Sequence, residues 1–132
     1  HTRCLSDWSS DVCSSDLCDR AQNRIQLFTK EGKFVKQLEI DIGTKDNKTG
    51  WGSVYDVVED SRGLFFYVAD GTNNEIKIVD QKTEKIIGTI GRSGRNAGDF
   101  HVLHNIAIDS KGNLYTSEVD NAKRVQKFER VK

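Results

Sequence analysis

Residues 104–128 read HNIAIDSKGNLYTSEVDNAKRVQKF, with alternating apolar and polar residues on either side of a glycine turn. The run NIAID leads into Asp109-Ser110-Lys111-Gly112, followed by LYTSE, a polar loop and RVQKF. A period of two marks a strand with one buried face, and an Asp-to-Gly turn between two such runs marks a short hairpin. The whole unit recurs about 49 residues earlier as VYDVVED, Asp60-Ser61-Arg62-Gly63, LFFYVAD, the loop GTNNE and IKIVD. Its second half recurs once more from Cys18, as CDRAQNRIQLF. No stretch after residue 17 places apolar residues at i, i+3, i+4 and i+7, as a helix would.

A repeat of about 50 residues holding four short antiparallel strands describes a propeller blade. The inner strands are predicted at 54–59 and 103–108, apolar on both faces because neighbouring blades cover them. The outer strands, at 34–38 and 85–90, carry more Lys, Thr and Gln. The fold class is therefore all-β, a β-propeller. A β-sandwich would share the strands but does not require the same turn chemistry at a fixed interval. Propellers close with roughly four to eight blades. Residues 18–128 supply about two and a half, so the chain is expected to be a C-terminal fragment.

Lys and Arg number 20, as do Asp and Glu. A formal charge of zero supplies no field to draw in nucleic acid, and no nucleic-acid partner is expected. No apolar run approaches the roughly 18 residues of a membrane span. Residues 1–17, HTRCLSDWSSDVCSSDL, show no period and lack the basic start and apolar centre of a signal peptide. Within them, DWSSDVCSSDL at 7–17 resembles one reading frame of a short-read sequencing adapter. Residues 1–17 are therefore expected to be a non-native, disordered leader, and 18–132 an incomplete propeller. Of the three cysteines only Cys18 lies outside the leader, so no disulfide framework is implied. With the native N-terminus replaced the compartment stays open, export included.

NIAIDSKGNLYTSEVDNAKRVQKF, YVADGTNNEIKIVD and CDRAQNRIQLF together resemble the blades of NHL-repeat propellers, over nearly all of residues 18–128. That family contains both enzymes and binding scaffolds, so the resemblance implies a fold more firmly than an activity. Two segments are similar to peptidyl-α-hydroxyglycine amidating lyases, six-bladed zinc enzymes that split a carbinolamide into a peptide amide and glyoxylate. Phe100-His101-Val102-Leu103-His104 matches their F-x-x-P-H segment with Leu in place of Pro, which puts His104 on a zinc-ligand position. Cys18-Asp19-Arg20, followed by Asn23-Arg24-Ile25-Gln26, matches the segment carrying their active-site Arg and makes Arg20 the counterpart.

The chain also departs from that pattern. Tyr55 stands in the middle blade where His104 stands in the next. Asn105 occupies the place of an acidic residue that helps hold calcium, and the loop Gly71-Thr72-Asn73 lacks the family's catalytic Tyr. The resemblance thus implies zinc and calcium in an intact parent and neither in this fragment. The plainer alternative for His104 is a hydrogen-bonded residue lining a channel, and for Arg20 a rim residue paired with Asp19. Asp70 and Asn73, with Tyr55 and Asn105, are candidates for a ligand rim, although Asp and Asn in such loops more often bond their own backbone. Residues 91–98, GRSGRNAG, have the glycines of a phosphate loop but no Lys-Ser/Thr ending, and read as a link between blades.

The expected function is a scaffold that binds a small-molecule or protein partner at its loop-rich face. The alternative is a zinc-dependent lyase or related small-molecule enzyme, inactive as this fragment, with His104 as metal ligand and Arg20 as electrostatic catalyst.

Overall fold

The computed structural model describes residues 3–5, 14–40 and 52–131. Among the described residues eleven strands are arranged in three antiparallel sheets. The first holds β1 (Arg3–Leu5), β2 (Ser14–Asp19), β3 (Arg24–Thr29) and β4 (Phe34–Glu39) in that order. The second holds β5 (Val54–Glu59), β6 (Phe65–Asp70), β7 (Glu75–Asp80) and β8 (Lys85–Ile90). The third holds β9 (Leu103–Ile108), β10 (Leu114–Glu118) and β11 (Val125–Phe128). The inner and outer strands thus fall where alternation predicts them. No helix among the described residues is long and apolar enough to cross a membrane.

The hairpin turns are built by their aspartates. Asp60 Oδ1 accepts the backbone N–H of Leu64 at 2.6 Å and of Phe65 at 3.0 Å. Asp109 accepts the N–H groups of Lys111 and Asn113, the Asn113 amide and the Tyr115 hydroxyl. Those bonds, Asn113's foremost, hold the Asp109 carboxyl down at about 2. Gly63 and Gly112 follow at φ 65° and 85°, a region that L-residues enter only at a cost.

Period-two alternation on the second sheet divides its side chains between two cores. Val57, Phe66, Val68 and Val79 pack with Ile25, Leu27 and Leu38 of the first sheet and with Ile40 just after it. Ala69, Ile76 and the half-buried Val58 and Tyr67 pack with Leu103, Ile106 and Leu114 of the third and with Phe100 just before it. β5 touches β9 on one side and β1, β2 and β3 on the other. Three sheets therefore stand side by side, inner strand beside inner strand.

Two further devices repeat with the sheets. The last residue of each second strand is a carboxylate paired to a base beside or on the third strand: Asp19 to Arg24 at 2.8 Å, Asp70 to Lys77, and Glu118 to Arg124 at 2.8 Å. Burial pushes the Glu118 carboxyl up, but bonds from Arg124, the His101 N–H and Gln126 outweigh it and leave the group low. The second device is an asparagine clasp. Asn23 (φ 52°) and Asn74 (φ 58°) each precede a third strand in the left-handed region. Asn23 Oδ1 accepts the Ser53 N–H at 2.7 Å, and Asn74 Oδ1 the Leu103 N–H at 3.4 Å. Each clasp ties a loop of one sheet to the entry of the next sheet's inner strand.

Part of the segment read as a disordered leader carries strand. Arg3–Leu5 and the first residues of Ser14–Asp19 are paired in the first sheet, Leu17 lying opposite Arg3 and Gln26. A ladder is made by backbone groups, so a stretch without hydrophobic alternation still pairs when a neighbouring strand edge is offered. Cys18 and Asp19 accordingly end β2, where alternation alone suggests a loop.

Candidate functional site

In an antiparallel sheet the end of the second strand lies beside the start of the first. Val54 is opposite Asp70, and Leu103 is opposite Glu118. The entries of the inner strands and the loops between second and third strands therefore gather at one end of the sheets. Arg20, Tyr55, His104, Asp70 and Asn73 all lie at that end.

Three of them meet. Arg20 sits in a 3-10 turn, Arg20–Gln22, directly after β2. Its guanidinium carbon lies 4.7 Å from the centre of the Tyr55 ring, within cation–π range. Tyr55 in turn meets the His104 ring edge-on, with centroids 5.5 Å apart and planes at 81°. Arg20 comes from the first sheet, Tyr55 from the second and His104 from the third. They border a cleft of about 580 Å³ that Cys18, Gln26 and Val54 also line.

His104 is reached through a strained segment. Val102 adopts φ 53°, an outlier for a β-branched residue. It is held there by the Val119 N–H on its carbonyl at 3.1 Å, while Glu118 accepts the N–H of His101 at 2.8 Å. Nδ1 of His104 lies 2.8 Å from Asn105 Oδ1, and Asn105 Nδ2 lies 3.4 Å from Asp56 Oδ2.

Asp70 and Asn73 do not join the cleft. The Asp70 side chain, fully buried, accepts the N–H groups of Thr72 and Asn73, the Asn73 amide and the Lys77 ammonium. Both residues build their own turn, as the plainer alternative expects. The loop they form presses on the site through Gly71, where a Cβ would stand 2.9 Å from the Tyr55 ring and 2.4 Å from the Leu103 carbonyl oxygen.

Asp56, Gln26 and the clasp residue Asn23 were not among the sequence candidates. The repeat held a signal for two of them. Asp56 aligns with Asn105, and Asn23 aligns with Asn74, each directly before a third strand. Gln26 aligns with Lys77 and Gln126 but gave no sign that its strand borders a cleft.

Among solved structures the chain is similar to hydrazine synthase of Kuenenia stuttgartiensis, with a TM-score of 0.62 and 13% identity over 88% of this chain and 28% of that one. It is similar to a catalytically inactive virginiamycin B lyase of Staphylococcus aureus with quinupristin, with a TM-score of 0.56 and 17% identity over 92% of this chain and 39% of that one. A streptogramin B lyase gives a TM-score of 0.54 and 14% identity over 91% and 38%. The fold is a β-propeller. Its three sheets are blades, and the chain spans between 28% and 39% of the length of these structures. No family model matches the chain, and no curated protein sequence matches it. At such identities the likeness is one of fold, not of activity.

The zinc expectation concerns an intact parent. A catalytic zinc takes three protein ligands and keeps a fourth position open. Among the described residues no three His, Cys, Asp or Glu side chains are grouped to hold a metal, and the ring neighbours of His104 are Tyr55 and Asn105. A zinc centre at His104 would therefore need ligands from outside the described residues.

Proposed function

We propose that the chain is part of a binding propeller whose ligand site is the cleft between the first and second blades, and that the ligand is a small molecule. The observation behind this is the meeting of Arg20, Tyr55 and His104, one from each of three successive blades. Neighbouring residues in sequence are easily adjacent by chance, but here the sheets must pack in order before the cluster exists. A concave volume of about 580 Å³ suits a small ligand, since such pockets commonly measure about 300–1,000 Å³. Its lining combines apolar surface at Val54 and Tyr55 with a few polar groups at Arg20, Gln26 and His104, the mix that orients a ligand while excluding water. The lyase alternative needs two further metal ligands that the described residues do not bring to His104.

Ligand-observed NMR with a library of small aromatic and hydrogen-bonding fragments tests the proposal. Fragments that bind the wild type are expected to lose about tenfold in affinity, or about 1.4 kcal/mol, in Arg20→Ala and in His104→Gln. Fragments that bind all three proteins alike would place the ligand site elsewhere.

A further inference from the structure

Asp56, Asn105 and His104 form a hydrogen-bonded series that crosses from the second blade to the third. Asp56 lies on β5, next to Tyr55, and is buried at 4% exposure. It is fixed in place, Oδ1 accepting the Val57 N–H at 2.9 Å and Oδ2 the Ile106 N–H at 3.0 Å. The same Oδ2 faces one terminal atom of the Asn105 amide at 3.4 Å, and the other terminal atom faces His104 Nδ1 at 2.8 Å.

The orientation of an amide is ordinarily assigned from its neighbours, and here one neighbour decides it. A carboxylate only accepts, so the amide turns its NH₂ to Asp56. Its oxygen must then face the imidazole. That oxygen also only accepts, so His104 donates from Nδ1. In the neutral ring the proton is then on Nδ1, and Nε2 carries the lone pair. His104 lines the cleft, whereas Asn105 and Asp56 do not. Nε2 is the ring nitrogen that Asn105 does not contact, on a ring that borders the cleft.

We propose that Asp56, acting through Asn105, fixes His104 as the Nδ1–H tautomer and makes Nε2 a standing hydrogen-bond acceptor in the cleft, so that the site selects ligands presenting an N–H or O–H donor. The selection of donors rests on the cleft being the ligand site. The tautomer does not. Asp56 and Asn105 are positioning residues, since they hold the ring and do not touch the ligand.

The tautomer is read from two-bond ¹H–¹⁵N correlations on the whole chain labelled at histidine. There are three histidines, and His104→Gln identifies the ring of interest. The expected spectrum has Nδ1 in the pyrrole-type range and Nε2 in the pyridine-type range. In Asn105→Ala the ring is expected to shift toward the Nε2–H form that free imidazole favours. A wild-type ring with its proton on Nε2, or a tautomer unchanged in Asn105→Ala, overturns the positioning role. Should Asn105→Ala fail to fold, the wild-type spectrum still decides.

Donor selection is tested separately by titrating phenol and anisole, which share a ring and differ in the O–H. Phenol is expected to bind about tenfold tighter and to move the Nε2 resonance. Equal binding overturns donor selection. Binding by neither overturns it together with the cleft as ligand site, and leaves the tautomer to be judged by its own spectrum.

Discussion

Replacing Asp70 with alanine is expected to destabilise the chain by about 3–5 kcal/mol, the usual consequence of removing one partner of a buried ion pair. Asp70 is fully buried, and its partner Lys77 is 2% exposed. Without the carboxylate, the ammonium loses its close counter-charge, while Glu75 stands farther off at 3.5 Å and is itself partly exposed. Three donors of the 70–74 turn, the N–H groups of Thr72 and Asn73 and the Asn73 amide, lose their acceptor as well. The pair of Lys36 and Glu84 gives the contrast, lying 2.9 Å apart but in solvent. Lys36→Ala is expected to change stability by less than about 1 kcal/mol. Urea unfolding of the two variants checks the difference. An Asp70→Ala midpoint as close to wild type as that of Lys36→Ala would mean that the middle blade is not locked by this pair.

Gly52→Ala is expected to be comparably damaging, and to act on the cleft first. Gly52 adopts φ 69°, and a Cβ there would stand 1.6 Å from the Arg20 carbonyl oxygen and 2.4 Å from its carbon. Both atoms are backbone and cannot rotate away, so the turn that carries Arg20 must move off the entry of β5. Gly32→Ala separates this clash from the conformational term, because Gly32 has φ 83° and open space around it. Gly32→Ala should cost only the roughly 1–2 kcal/mol of a left-handed L-residue. Gly52→Ala should cost clearly more and should release Arg20 from the Tyr55 ring. Equal losses in the two variants would show that the first blade does not approach the second as closely as the structure has it.

Much of the fold was legible in the sequence because its signals are local and repeat. Alternation located the inner strands 54–59 and 103–108, and the Asp-x-x-Gly turns located their hairpins, since both depend on residues a few positions apart. β1 and β2 were not legible, because their pairing is made by backbone groups and Ser14–Asp19 shows no apolar alternation. The site was legible in part. His104 and Arg20 stood out through a family resemblance and Tyr55 through its place in the repeat, and the structure brings these three together. Asp70 and Asn73 were equally polar and equally loop-borne, but their partners are one turn away. Sequence type alone does not separate a ligand rim from a turn that satisfies itself. Asp56 was missed because its role depends on a bond to a residue 49 positions later, which only the packing of one blade on the next creates.

That packing creates the cleft, and the contact between the Tyr55 and His104 rings tests it most directly. The two residues lie on inner strands of different blades, with ring centroids 5.5 Å apart. Nuclear Overhauser cross-peaks between the Tyr55 ring protons and the carbon-bound protons of the His104 imidazole are expected in the free protein. Both rings assigned, with no cross-peak between them, would contradict the arrangement of blades on which the cleft depends.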